Sequence, residues 1–210
     1  MNNIWYIYGA GGYGIETLDI LLENKKNFKG CFLVDDKNVN SINDTQVVSF
    51  DPELEGFVTI AIGEPATRMQ ILEKLKSSKL KVRSLISRHA FVSKFAKIGD
   101  GCIIAPMCSI QSTALINNNV AVNTAAILGH DVVIEESSVI SSQVNLGGGV
   151  NIGRESYIGM GALIREGVKI GRNVIIGMGS VVHQDIPDGV IAMGNPARPL
   201  KKNIDKKVFG

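Results

Sequence analysis

From Ile86 to Val182 every sixth residue is aliphatic: Ile86, Val92, Ile98, Ile104 and onward to Ile176 and Val182, seventeen positions without an insertion. A period of six fits neither the 3.6 of an α-helix nor the 2.0 of one long strand. It predicts short strands separated by turns, with the aliphatic residue pointing inward. Glycine often follows, as at Gly99, Gly129, Gly147 and Gly171. Small residues are expected five places after the aliphatic one. Three hexapeptides close a triangular coil of 18 residues, so the array predicts five to six coils stacked at about 4.8 Å. Sandwich strands recur every 8–12 residues with variable loops, which this register does not show. The array is read as an all-β, left-handed parallel β-helix over 85–187. Such a stack needs caps, and the Pro- and Gly-containing text of 188–210 is expected to fold back over the last coil.

The pattern differs before residue 85. An apolar run, Ile4–Tyr8, leads into GAGGYG and then an amphipathic stretch with Ile15, Leu18, Leu21 and Leu22. This reads as strand, glycine-rich turn, helix. Further strands are predicted at Gly30–Val34 and Phe57–Ile62, and a helix from about Glu64 to Lys76. The order β-α-β-β-α predicts a small Rossmann-like α/β domain over 1–84. Gly9, Gly11 and Gly14 match G-x-G-x-x-G, and Asp35 follows at the end of the next strand, a dinucleotide fingerprint in form. Two mononucleotide halves do not fit in about 80 residues, which argues against a nicotinamide enzyme. One phosphorylated nucleotide at the helix N-terminus fits better. A tight turn without ligand is the alternative.

Composition narrows the class. Hydrophobic residues make up 45% and charged residues 20% of 210 residues, with net charge +2. That balance gives no reason to expect nucleic acid or an anionic membrane as partner. Cys31, Cys102 and Cys108 are odd in number and fit no metal spacing, so no metal and a reducing compartment are expected. No secretory signal or run of about 18 apolar residues is visible. The protein is read as cytoplasmic.

Acyl transfer needs a base working near neutral pH and donors for the tetrahedral oxyanion. Histidine is the usual base. His89 lies before the well-formed coils and His183 at their exit. His130 lies mid-array with Asp131 beside it, and an adjacent carboxylate fixes the imidazole tautomer. Two places after the inward Leu128, His130 should point outward. Gly148 occupies the same column one coil later, where its N–H is a candidate oxyanion donor. A surface histidine and a plain turn glycine are the alternatives.

GAGGYG at the start, VDD at 34–36, AIG at 61–63, NTAAILGHD at 123–131 and GNPAR at 194–198 resemble the sugar O- and N-acetyltransferases of the hexapeptide superfamily. The resemblance implies a homotrimer with active sites between adjacent β-helices and acetyl-CoA as cosubstrate. It implies His130 as general base, Asp131 as its support, and the Gly148 amide facing the thioester carbonyl. It places the acetyl-CoA along Met160 and Met178, with Val139 near the acetyl group. It maps the nucleotide-linked amino sugar, UDP- or dTDP-, to Gly11, Gly12, Tyr13, Asp35, Asp36 and Gly63. Many relatives carry histidine where Tyr13 stands, and some where Val139 stands. The expected reaction is N-acetylation of a 4-amino-dideoxy sugar. The alternatives are O-acetylation of a sialic acid or another sugar, and a non-catalytic trimeric scaffold.

Overall fold

The computed structural model describes residues 4–24, 29–36 and 38–209. The first unit runs β1 (Ile4–Tyr8), α1 (Gly12–Asn24), β2 (Lys29–Val34), β3 (Ser41–Ile42), β4 (Thr45–Ser49), β5 (Gly56–Ile60), α2 (Pro65–Leu75) and β6 (Leu80–Val82). Its sheet has the order β3-β4-β2-β1-β5-β6. All pairs are parallel except the β3–β4 hairpin. The β3–β4 hairpin and β6 add three strands to those expected from the sequence. Strand order reverses at β1, so a crevice opens at the carboxyl ends of β1 and β5, where α/β sheets bind ligands.

From Leu85 the chain forms seventeen two-residue strands, β7 (Leu85–Ile86) to β23 (Val181–Val182), one every six residues. Each pairs in parallel with the strand 18 residues away, giving three faces of a parallel solenoid. Face 1 carries Leu85, Ile103, Ala121, Val139, Tyr157 and Ile175 outward; face 2 begins at Phe91 and face 3 at Lys97. The inward ladder is buried from Ile104 to Val182. The small residues stand four places after the aliphatic one, not five, at Cys102, Cys108, Ala114, Ala126, Ser138 and Ala162, and valine fills the same buried position at Val120, Val132, Val144, Val150, Val168 and Val174. All three cysteines are free and buried. From Gly101 to Gly179 the third residue after each aliphatic one is left-handed, as at Met107, Thr113, Asn119, Ala125 and Asp131. Outside glycine that conformation is favourable only for Asn and Asp. After the coils, β24 (Val190–Gly194) pairs in parallel with the last face-1 strand, and β25 (Ala197–Lys202) pairs antiparallel with β24. The segment therefore extends face 1 as a hairpin. Among the described residues no helix is long and apolar enough to cross a membrane.

The two units share a core. Face-1 residues Leu85, Ile103, Ala121 and Val139 are outward on the solenoid yet fully covered. Arg68, one turn into α2, joins the units at the corner between faces 3 and 1. Its Nη1 donates to Ile60 O (2.6 Å) and Ile62 O (3.0 Å). Nε and Nη2 donate to Asn119 O (3.0 and 2.8 Å), and Nη2 also to Asn119 Oδ1 (3.0 Å). Asn119 Nδ2 answers by donating to Arg68 O (3.1 Å) and Ser137 Oγ (2.8 Å). All five guanidinium N–H groups are used at a wholly buried residue, which meets the condition for burying such a group. In Arg68→Lys three donors face four oxygens in the wrong geometry. Urea unfolding should show a loss of about 2 kcal/mol or more.

Candidate active site

His130 and Asp131 lie at the corner between faces 2 and 3, in the third coil, and both are exposed. The left-handed φ of Asp131 (+59°) turns its carboxylate back to the preceding residue. Asp131 Oδ2 lies 2.8 Å from His130 Nδ1, and Thr113 Oγ1, one coil below, donates to Asp131 Oδ1 at 2.6 Å. The Thr113 hydroxyl and then the imidazole hold the Asp131 carboxyl below the usual carboxylate range. Nδ1 is thereby committed, and Nε2 is left for chemistry.

Gly148 is stacked one coil above. A Cβ there would lie 2.5 Å from both Cε1 and Nε2 of His130, so only glycine lets the ring sit over this backbone. Gly148 O accepts from Gly167 N, and Gly149 N donates to His130 O. Gly148 N–H makes no hydrogen bond among the described residues. The N–H groups of His130 and Met160, at the same turn position, share that state. What distinguishes Gly148 is the imidazole beside it. Gly129 adds to the opening: a Cβ there would come within 2.8 Å of Gly148 N. Thr113 carries no signal in the sequence, and Gly129 stands out there only as a repeat glycine; counting back one coil from Asp131 and Gly147 finds both.

The nucleotide-type residues gather elsewhere. Gly11 and Gly12 open α1, and a Cβ on either would meet no atom within 4 Å. Neither packing nor left-handed backbone explains glycine at these two positions; the space beside them is open to an approaching group. The first-turn N–H groups of α1 point there, a ready anion site. Gly14 is different: its missing Cβ lets α1 approach Gly9 O. Gly63 follows β5 on the other side of the crevice. Asp35 Oδ1 accepts from Tyr8 Oη (2.5 Å) and pairs with Lys74. Lys74 and then Tyr8 hold its carboxyl below the usual range. Asp36 is exposed beside it.

Tyr13 turns inward between α1 and the solenoid, and its hydroxyl is buried without a partner. It helps to line a cleft of about 490 Å³ with Glu16, Asp19, Ala105, Pro106 and Thr124. Asn123, at the same corner, has a buried, unpaired Oδ1. His89 belongs to the first regular coil and is 2.6 Å from Glu23 of α1; His183 is exposed on the last coil.

Met160 and Met178 are exposed at the corner between faces 1 and 2, in the column of Pro106 and Thr124. Val139 is buried on face 1 and offers no side-chain surface. The structure thus brings together His130, Asp131 and Gly148, and separately the cleft and the two methionines. Consecutive corners stand six residues apart, on the order of 15–20 Å, farther than an imidazole reaches.

Residues 5–75 match the family model described as the PglD N-terminal domain, and 149–184 that of the bacterial transferase hexapeptide (six repeats). A GDP-perosamine N-acetyltransferase from Escherichia coli O157:H7 is 30% identical over 216 residues, covering 96% of this chain and 98% of that protein. The acetyltransferase domain of PglB from Neisseria gonorrhoeae FA1090 superimposes with a TM-score of 0.89 at 34% identity, over 95% of this chain and 100% of that one. It is also known in complex with acetyl coenzyme A. PerB from Caulobacter crescentus, in complex with CoA and GDP-perosamine, gives 0.87 at 26% identity over 93% of this chain and 96% of that one.

The glycines separate ligand approach from packing. Gly12→Val should change stability by no more than about 0.5 kcal/mol. Gly14→Ala should lose about 1–3 kcal/mol by overpacking. Paired thermal melts check both.

Proposed function

This chain belongs to the hexapeptide-repeat acetyltransferases of the nucleotide-amino-sugar N-acetyltransferase group, and we propose that it moves the acetyl group of acetyl-CoA onto the 4-amino group of a nucleotide-linked sugar. The carrying observation is His130 Nε2 stacked over the side-chain-free Gly148 amide, with Nδ1 held by Asp131. The free-base amine attacks the thioester carbonyl. Its new N–C bond places negative charge on the carbonyl oxygen, which the Gly148 N–H stabilises. His130 Nε2 takes a proton from the amine nitrogen. Collapse of the intermediate breaks the C–S bond, and that proton restores the CoA thiol. The N-acetyltransferase name of the Escherichia coli relative favours an amine over a sialic-acid hydroxyl as acceptor. A GDP-linked sugar joins the UDP- and dTDP-linked candidates on the same ground.

The nucleotide's phosphates sit at Gly11 and Gly12, with Asp36 exposed at the β2 edge of the same crevice. The sugar runs past Tyr13 to Thr124 in the cleft. The pantetheine follows Met160 and Met178 two and three coils higher on that corner. Sugar and thioester then meet near Asn123 and Ser142, at the height of the His130 and Gly148 coils. Because the histidine corner of the same chain is out of reach, a second copy supplies it, and a threefold arrangement closes the set. Val139 lies outside this path as a side chain. Three reduced cysteines and the use of acetyl-CoA support a cytoplasmic setting.

His130→Ala should lower kcat about 100- to 10,000-fold with unchanged circular dichroism and oligomer mass. A thiol-release assay with acetyl-CoA and a panel of GDP-, UDP- and dTDP-4-amino sugars reads it; near-normal turnover would refute the assignment. A mixing experiment tests the shared site. His130→Ala and Gly12→Val proteins, each expected to be strongly impaired alone, should regain activity when co-refolded, because some sites draw an intact corner from each copy. Absence of any recovery would place the whole site within one chain.

A further inference from the structure

The segment after β25 does not end on the solenoid. Asn203 is fixed at the top of the stack, its N–H on Gly189 O (2.8 Å) and its Nδ2 on Asn173 O (3.0 Å). Five residues later the chain has crossed to the α/β unit. Val208 N donates to both carboxylate oxygens of Glu64 (2.9 and 3.0 Å), and Phe209 N donates to Oε2 (3.3 Å). Glu64 is the residue that precedes α2 and makes no side-chain cap bond to that helix. Its carboxylate serves the 208–209 backbone instead. Phe209 packs edge-on against Tyr157 of face 1, with ring centroids 5.7 Å apart at 84°. Its ring covers Gly63, where a Cβ would be 3.4 Å from Cε2. Even so, the residue stays 56% exposed.

Gly63 lines the crevice at the carboxyl ends of β1 and β5. The turns on either side of that crevice touch directly, since a Cβ on Gly9 would lie 2.6 Å from Ala61 O. A nucleotide whose phosphates lie on Gly11 and Gly12 is therefore within one nucleoside's length of Gly63. The sugar end leaves toward the cleft beside Tyr13, so the base must leave another way. On the β2 side Asp35 is already tied to Tyr8 and Lys74. On the β5 side stands a half-exposed aromatic ring on a two-pronged backbone clamp. We propose that Phe209 is the stacking platform for the nucleobase and that Glu64 positions it. This rests on the nucleotide-sugar reading above. A π-face accepts any base, so the platform supplies affinity, and discrimination between bases falls to the polar edges around it.

Calorimetry with GDP, UDP and dTDP, together with steady-state kinetics on the intact protein, tests the proposal. Phe209→Ala should weaken binding of the nucleoside diphosphate that the wild type prefers, and raise KM for the nucleotide sugar, about tenfold or more. The KM for acetyl-CoA and the thermal midpoint should stay unchanged. Phe209→Tyr should keep wild-type affinity, whereas Phe209→Leu, apolar but without a π-face, should behave as the alanine variant. Glu64→Gln, which weakens the clamp, should give a smaller loss in the same parameter. Equal affinity in the wild type and Phe209→Ala overturns the platform while leaving the nucleotide site in place. Failure of the wild type to bind any of the three diphosphates overturns the nucleotide reading, and the platform with it.

Discussion

The guanidinium of Arg68 holds two units of incompatible periodicity in one frame. Its fork ends the crevice on one side, through the carbonyls of Ile60 and Ile62, and grips a solenoid corner on the other, through Asn119. A buried cation whose partners are carbonyl dipoles tolerates no half-made geometry, because each lost bond leaves a polar atom dry. That intolerance is useful here. In the proposed reaction the amine of a sugar whose phosphates rest at α1 has to reach an acetyl group held on the coils, so the two units cannot swing freely. The covered face-1 residues add apolar burial, which is non-directional. Arg68 adds the direction.

The solenoid turns that fixed frame into a ruler. Height along the axis is set by coil number and azimuth by position within the hexapeptide. The cleft, Met160 and Met178 share an azimuth, whereas His130 and Gly148 share another at intermediate height. Repetition makes all corners of one chain equally rigid, and it also makes them permanently separate. A stack of this kind can place a base precisely only with respect to its own column or to a neighbouring copy.

These features were unequally legible. The period of six gave coil height and the pairing of His130 with Gly148 directly, because every relevant contact is at a fixed separation of 18. The β1–α1 turn was legible through Gly11 and Gly14, although their reasons differ: open space at one, helix packing at the other. Arg68 was not legible, since its partner lies 51 residues away with no periodic relation. The same holds for the burial of Val139, which reads as an ordinary outward position and is covered only because the α/β unit docks there. Tyr13 was expected at a ligand; its ring packs between α1 and the solenoid and also helps to line the cleft. The hairpin at β3 and β4 escaped notice because two- and five-residue strands carry little pattern. Phe209 escaped because a lone aromatic among lysines looks like a solvated end.

Asp131 shows how chemistry fits into the repeat without disturbing it. From Gly101 to Gly179 every turn has a left-handed residue at this position, and Met107, Thr113 and Ala125 accept it at a cost of roughly 1–2 kcal/mol each. Aspartate pays less, because its short polar side chain can bond locally. In that conformation its carboxylate swings back along the chain, which is where His130 Nδ1 waits. The slot that the fold strains is thus the slot from which an acid can orient the residue before it. Thr113, in the equivalent slot one coil below, then reaches the second oxygen of the same carboxylate. A catalytic histidine placed anywhere else in the hexapeptide would point into the core or lack that neighbour. The register therefore offers one hexapeptide position for such a base, repeated at each corner, and in the proposed reaction its corner and coil follow from where the amine arrives.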